Sequence, residues 1–552
     1  MIRDLGRPER RPWGDAVTPT PSKTTTTTNT PTKRRPSTAR RPTVEPLEGR
    51  QLLSQFFSGA TANRPVQTLG SIYTLSVSGP GLVKVQRLGH GVLGVKLFGT
   101  TVDSTLNVSL RKQRLHQPAT PLEIGSINVV SGTIGGINAG AAELLGAVTP
   151  LSGVSTINFG SLGQNAGIDV NGSLATLGLG SVDLGPNGHV NIKGGLGQSL
   201  NVGGPFILDG GQFTIGGDVA GALSLGSLQV SRGGRFVVSH NVTGATHVSG
   251  DLRVNDNGLV AVGQNLNGLT VGGKLALDTG GRLVVGNDVR GSVNVAEDFA
   301  ISNKASFSVG RDVTLSGAGL IGGITVGGNL SLASGGTIVV GRDLNAVTAT
   351  GSTSTSTNQA SLTVIGNLTV DPSGGSITVG GNFNTFQVDG IFRGKGTTVP
   401  DLSVGLDLRN TTVLGGSPNA GGIAQASIDV GKNIINLNVS HGIFNSFITA
   451  GVLIDNVNVG PDGADALSNS DIRAGVEINH TTFNGNVRST FATDPKSPGY
   501  PTRIVAGEDR AGNFTSGALI DNFQILGTMF DSVVAASVAP YGGNGTLPVS
   551  PY

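Results

Sequence analysis

Gly263-Gln264-Asn265-Leu266, Gly286-Asn287-Asp288-Val289 and Gly310-Arg311-Asp312-Val313 repeat one tetrad along the middle of the chain. Gly216-Gly217-Asp218-Val219 and Ser239-His240-Asn241-Val242 extend the series upstream. Its acidic or amide position falls at residues 218, 241, 265, 288 and 312, with separations of 23, 24, 23 and 24. A second series, Asp251, Lys274, Asp298, Asn329 and Asn367, is interleaved with the first. From each of its members to the next member of the first series takes 14, 14, 14, 14 and 15 residues, whereas the return takes 10, 9, 10, 17 and 24. The two longest returns contain Gly317–Gly323 and Ser352–Gln359, which read as loops leaving one side of a stack.

A fixed period of this size marks a repeat architecture. Short Val/Ile/Leu runs such as Leu283-Val284-Val285 and Ile338-Val339-Val340, bounded by glycine, read as strands and not as helical repeats. The sequence therefore predicts an all-β fold, a parallel β-solenoid (β-helix) of about 24-residue coils with two strands per coil. At about 4.8 Å per coil, roughly twelve coils across 136–440 give a rod of about 60 Å. Glycine at the tetrad's first position is expected to supply a positive φ at a corner. Asn and Asp tolerate the same region and bond nearby backbone. Stacked, Asp218, Asp288, Asp298, Asp312 and Asp343 are expected to form a carboxylate and amide ladder, broken by Lys274.

The rest of the chain is organised around this array. Residues 1–45, rich in Pro, Thr and Arg, read as a disordered tail, because such a stretch cannot bury enough apolar surface to offset its ordering entropy. Residues 46–64 read as a short motif and linker, 65–135 as a small N-terminal β cap and 136–440 as the regular solenoid. In the cap, 72–77 and 82–85 read as strands separated by Gly79-Pro80-Gly81. Asn445–Gly451 is echoed 24 residues later by Asn469–Gly475, so the solenoid is expected to continue over 441–541, with longer loops at 461–468 and 493–502. Residues 542–552 read as a loose tail.

Composition agrees with stacked coils. Glycine contributes 89 of 552 residues, and aromatics only 4%. So few rings cannot fill a large three-dimensional core, whereas aligned rows of aliphatics fill a narrow one. The absence of cysteine excludes disulfides, thiolate metal sites and a cysteine nucleophile. No run of 18 apolar residues occurs, so no transmembrane helix is expected. Basic residues concentrate in the tail, including Arg34-Arg35 and Arg40-Arg41. No aromatic residues interleave with these arginines, and no nucleic-acid partner is expected.

Between tail and first strands lies Val44-Glu45-Pro46-Leu47-Glu48-Gly49-Arg50-Gln51-Leu52-Leu53-Ser54. It resembles the LEPR-XLL motif found near the N-terminus of large, repeat-rich exported bacterial proteins. Leu47, Glu48, Arg50, Leu52 and Leu53 match, and Gly49 replaces the usual proline. The resemblance implies a cell-surface or extracellular destination and no particular activity.

No catalytic, cofactor-binding or metal-binding residue is nominated. The charged stretch Asp494, Lys496, Arg503, Glu508, Asp509 and Arg510 reads as a solvated loop. Asp462, Asp465 and Asp471 do not have the EF-hand spacing. Histidines 90, 116, 189, 240, 247, 441 and 480 lack paired metal-ligand spacing. Sequons at Asn241 and Asn367 carry little information in a chain this rich in Asn, Ser and Thr.

The expected function is a non-catalytic extracellular or cell-surface structural, adhesin-like protein, similar in architecture to filamentous-haemagglutinin and autotransporter passenger regions. Its expected partners are cell-envelope or extracellular-matrix components or glycans. A carbohydrate-binding or polysaccharide-active β-helix is the first alternative. It would be favoured by a groove holding two acids and an exposed aromatic, whereas Phe383, Phe386, Phe392, Phe444 and Phe447 are expected in the core. An intracellular polymerising scaffold is the second.

Overall fold

The structure, a computed structural model, describes residues 55–58, 64–68 and 71–536, apart from 114–119, 314–322, 345–361, 366, 372–373, 397–398, 416–421, 461–464, 490–501, 509–514 and 516. The expected tails, the motif at 44–54 and most of the two solenoid loops lie outside the described residues. Every described element is a strand, and among the described residues no helix is long and apolar enough to cross a membrane.

The solenoid is there, with coils of about 24 residues, but each regular coil has three strands where two were expected. One coil runs Leu259–Val262, Leu269–Val271 and Leu275–Leu277. The next runs Arg282–Val285, Ser292–Val295 and Phe299–Ile301. Each strand pairs in parallel with its counterpart one coil on: Val260 with Leu283, Leu269 with Val293, and Leu275 with Phe299. We call the three resulting sheets faces A, B and C, in that order. Inward residues of all three, such as Leu269, Leu275 and Leu283, are at most 4% exposed. Each buried aliphatic contributes about 1.5–3 kcal/mol of transfer free energy.

The corner between faces A and B carries the tetrads. Its aliphatic position forms a continuous run of single bridges, Leu196–Val219–Val242–Leu266–Val289–Val313–Leu344–Phe383–Leu408. The preceding Asx residues make the expected ladder by receiving a backbone N–H from the next coil. Asp218 Oδ1 accepts from Asn241 N at 2.9 Å, Asn241 Oδ1 from Asn265 N at 3.2 Å, and Asp343 Oδ1 from Asn382 N at 2.7 Å. The second series does the same between faces B and C, where Asn329 N donates to Asp298 Oδ1 at 3.0 Å and Asn367 N to Asn329 Oδ1 at 2.9 Å. Lys274 offers no acceptor there and instead reaches Asp298 Oδ2 with its Nζ at 3.1 Å.

The glycines of the tetrad have a different cause from the one expected. Gly263, Gly286 and Gly310 are not among the positive-φ residues. They stand directly over one another, so that a Cβ at Gly286 would lie 2.1 Å from the carbonyl oxygen of Gly263, and one at Gly310 would lie 2.0 Å from that of Gly286. The same stacking continues through Gly341, Gly380, Gly405, Gly431, Gly451 and Gly475. Close backbone approach excludes side chains from this column.

In the regular coils, two successive positive-φ residues mark the third corner, between faces C and A. Arg232 and Gly233 have φ of 50° and 73°, Asp256 and Asn257 49° and 60°, and Asn303 and Lys304 51° and 62°. Two successive left-handed residues closed by a hydrogen bond from residue i+3 to i make a type I′ turn. Gly234 N donates to Ser231 O at 2.8 Å, Gly258 N to Asn255 O at 2.8 Å, and Ala305 N to Ser302 O at 3.0 Å.

At the N-terminal end the pairing is antiparallel. Ser71–Ser78 pairs with Thr105–Gln113, and Leu82–Gly89 with Val92–Phe98. Val92–Phe98 and Thr105–Gln113 then pair in parallel with Leu122–Val129 and Gly136–Leu144, so the cap hands over to the stack before residue 136. Downstream the coils persist. Ile428, Ile448, Ile472, Ile504 and Val534 align on face A, and Asp465–Ser468, within the expected loop 461–468, is a face C strand. Val313 and Leu344 hold the A-to-B corner, and the next described strands, from Gly323 and Leu362, lie on face B, so the extra residues of both long returns fall at one corner of the sequence repeat.

Candidate functional site

Most outward acids serve the stack. Asp218 is held below the usual carboxylate range by the backbone N–H and side-chain amide of Asn241. Asp298 is lowered by the Asn329 N–H and by Lys274. Histidines do likewise: His189 meets Asp169 at 3.3 Å and His480 meets Asp455 at 2.9 Å. Among the described residues no group of three or more His, Asp or Glu could hold a metal ion. Asp465 and Asp471, two of the three aspartates tested for a calcium loop, sit on different faces, Asp465 with Arg488 at 2.5 Å and Asp471 with Arg473.

Face A departs from this pattern between residues 395 and 508. Two outward columns run along it, Ser427–Phe447–Asp471–Arg503 and Asp429–Thr449–Arg473–Val505, each in register from coil to coil. Alternation turns these side chains away from the core residues Ile428, Ile448, Ile472 and Ile504. Ser427, Asp429 and Asp471 are nevertheless 4%, 6% and 8% exposed. With Pro400, Phe447, Thr449 and Arg473 they line a recess of about 220 Å³.

The wall beside the recess is the segment between face C strand Phe392–Arg393 and face A strand Leu402–Val404. It is tied down by a buried pair. Lys395 Nζ donates to Gly375 O at 2.9 Å and Pro400 O at 3.3 Å, and lies 3.8 Å from Asp401 Oδ1. Asp401 is fully buried and also accepts Ser427 N at 2.8 Å. Burial raises its pKa, against the opposing pull of these donors. A second, larger hollow of about 420 Å³ lies on the other side of the wall, over Thr337, Thr378 and Ser403.

The floor of the recess is an ion network. Arg473 contacts Asp471 and reaches Glu508 Oε1 at 2.6 Å, while Arg503 meets Glu508 Oε2 at 2.6 Å and Asp471 Oδ2 at 3.8 Å. Burial pulls the Arg473 guanidinium down, but Asp471 and Glu508 outweigh it and hold the pKa above the usual arginine value. Arg503 and Glu508 thus belong to a packed network, Glu508 being 4% exposed, and not to a solvated loop as expected. The other members of that charged stretch, Asp494, Lys496, Asp509 and Arg510, lie outside the described residues. All of these ties reach Asp471 through Oδ2, and its buried Oδ1 has no hydrogen-bond partner.

The phenylalanines divide. Phe383, Phe386 and Phe392 are fully buried and pack ring on ring at 5.5 and 5.6 Å. Phe447 instead points outward on face A and is half-buried.

Comparison with protein-family models, curated proteins and solved structures found no match for this chain. The class that fold and surface define is a three-sided parallel β-solenoid with a recess built into face A.

Proposed function

We propose that the chain is a non-catalytic structural, adhesin-like rod on the surface of, or outside, a bacterial cell. The observation that carries this reading is the use made of polar groups. Coil after coil, the Asx side chains are consumed in binding the next coil's backbone, which makes a stiff repetitive body. The motif resemblance at 44–54 supports the destination. Protease shaving of intact producing cells, with a cytoplasmic marker as control, tests it. Release of peptides from 140–536 while the marker stays intact is the expected result. Release only after lysis points to the intracellular scaffold instead.

A second reading, contact with carbohydrate, is favoured by one observation: a groove with two acids and a half-exposed ring, Asp429, Asp471 and Phe447, exists on face A.

A further inference from the structure

The two ends of the stack differ. At the N-terminal end, antiparallel strands close the core, and their inward residues Tyr73 and Leu75 are buried. At the C-terminal end the last coil consists of Leu519–Ile520, Phe523–Ile525, Met529–Phe530 and Ser532–Ala536. Among the described residues these strands pair only with the coil before them. Their other edge carries a row of backbone N–H and C=O groups, a template for a further strand. The core row is open there too. Ile478, Phe483, Val487 and Ile504 are fully buried. Their partners one coil on, Ile520, Ile525, Met529 and Val534, are half-buried or exposed, Met529 by 41%. Leu519, Leu526 and Phe530 add exposures of 50%, 63% and 55%. A contiguous apolar surface of this kind marks a contact.

We propose that the chain's own residues 537–552, which lie outside the described residues, cover this end as a terminal cap laid along the edges of the last coil. The segment follows directly on Ser532–Ala536, so it is delivered to the open end at an effective concentration of about millimolar. Its 16 residues, extended at about 3.3 Å each, reach about 50 Å. That is two-thirds of the residues in a coil of about 24. Val538, Tyr541, Leu547, Val549 and Tyr552 supply apolar surface, and the segment holds no charged residue. Pro540, Pro548 and Pro551 lack an N–H, so the outer edge of the cap is a poor template for yet another strand. A second copy fits this end less well. Because the N-terminal end is closed, two copies would have to meet tail to tail. Asp521 and Asp531 of each would then face those of the other, with no Lys or Arg anywhere in 517–552 to offset them. The cap goes beyond the adhesin reading and takes in the stretch 542–552, for which a loose tail is expected from sequence.

Met529 reports on this end without engineering, because the chain's other methionine is Met1. Peroxide converts an accessible thioether to the sulfoxide. On the full chain, peptide mass spectrometry follows the oxidation of Met529 against that of a synthetic peptide spanning 525–533. Met529 should react at least about tenfold more slowly than the peptide, equally at low and high protein concentration, and hydrogen exchange should find protected amides within 537–552. Placing charge in the cap, with Val538→Asp and Tyr541→Asp together in the full chain, should restore most of the peptide's rate. A thermal melt and continued protection of the amides of 502–506 show that the stack itself survives the change. Oxidation at the peptide's rate in the unsubstituted chain, with 537–552 exchanging as an unstructured segment does, overturns the proposal. Slow oxidation that the paired substitution leaves unchanged also overturns it, because something else then covers the end. Protection that appears only as protein concentration rises, with a doubled mass in light scattering, overturns it in favour of a second copy and strengthens the scaffold alternative.

Discussion

Replacing Gly286 by Asn separates two explanations for the tetrad glycines. If Gly286 were needed for a positive φ, Asn would be a fair substitute, because it enters the left-handed region more readily than other side chains. If it is needed for close approach, any Cβ fails. The new Cβ would stand 2.1 Å from Gly263 O, which is 1.3 Å short of the 3.4 Å at which ordinary contact begins. Relief by opening the stack would take more than a quarter of the roughly 4.8 Å between coils. That would stretch Gly286 N–Val262 O, now 2.8 Å, and Asn287 N–Gln264 O, now 2.9 Å. Overpacking of about 1–3 kcal/mol and two weakened bonds at about 0.5–1.5 kcal/mol each place the cost at about 2–6 kcal/mol. Gly233 is the matched control, with φ of 73° and nothing within 4 Å of its would-be Cβ. Gly233→Asn should cost about 0.5 kcal/mol or less. Urea unfolding followed by circular dichroism gives the global effect. Hydrogen exchange of the amides of residues 263–310 gives the local one, and matters because a repeat array can open by parts. Equal tolerance of Asn at the two positions would refute the close-approach account.

Three further outcomes follow from the packing. Lys395→Met leaves fully buried Asp401 without its cation, at a cost of about 3–5 kcal/mol, and adding Asp401→Asn should return part of it; a melting temperature unchanged by Lys395→Met would show that the pair is not buried. Val260→Ile extends into a cavity of about 40 Å³ lined by Phe236, Val262 and Leu283, and should raise the urea midpoint by a gain of up to about 0.8 kcal/mol for one methylene; a clear loss would mean that the space is already filled. Asp218, Asp251, Asp278 and Asp298 all have lowered pKa values, chiefly from hydrogen bonds received from the neighbouring coil. A carboxylate lowered in the folded state lends stability above its unfolded pKa, and loses it as pH falls through the folded value. Asp401 and Glu143, both raised chiefly by burial, have the opposite sign, but they are two groups against four. Melting temperature should therefore fall between about pH 5 and pH 2, and a flat or rising profile over that range would contradict the ladder's role.

Much of the fold could be read in the sequence because the Asx columns are one-residue signals at nearly constant spacing, and each position does the same job in every coil. The third strand was hidden for the opposite reason. The C-to-A corner needs only a pair of left-handed residues, which Arg232-Gly233, Asp256-Asn257 and Asn303-Lys304 supply with no common spelling. Without that corner, a face C strand such as Leu275–Leu277 merges with the face A strand that follows. The glycine column was visible, but its cause lies between coils and not within the local backbone. The recess was not legible, because its columns join residues 427, 447, 471 and 503 at separations of 20, 24 and 32. Such uneven steps follow from insertions, and only the backbone pairing restores their alignment. Phe447 illustrates the consequence. An isolated phenylalanine in a β-solenoid reads as core, and its outward direction depends on a register that local sequence does not fix.

Coil register is the foundation of both the rod and the recess, and engineered cysteines report it directly because the chain has none of its own. Thr270 and Asn294 are exposed partners on adjacent face B strands, and Thr325 follows Asn294 one coil further on. Adjacent coils stand about 4.8 Å apart, within reach of a disulfide, whereas residues two coils apart exceed the roughly 7 Å limit between Cα atoms. Under mild oxidation, Thr270→Cys with Asn294→Cys should cross-link nearly completely within one chain, and Thr270→Cys with Thr325→Cys should not. Absence of the first cross-link, or equal formation of the second, would contradict the stacked solenoid.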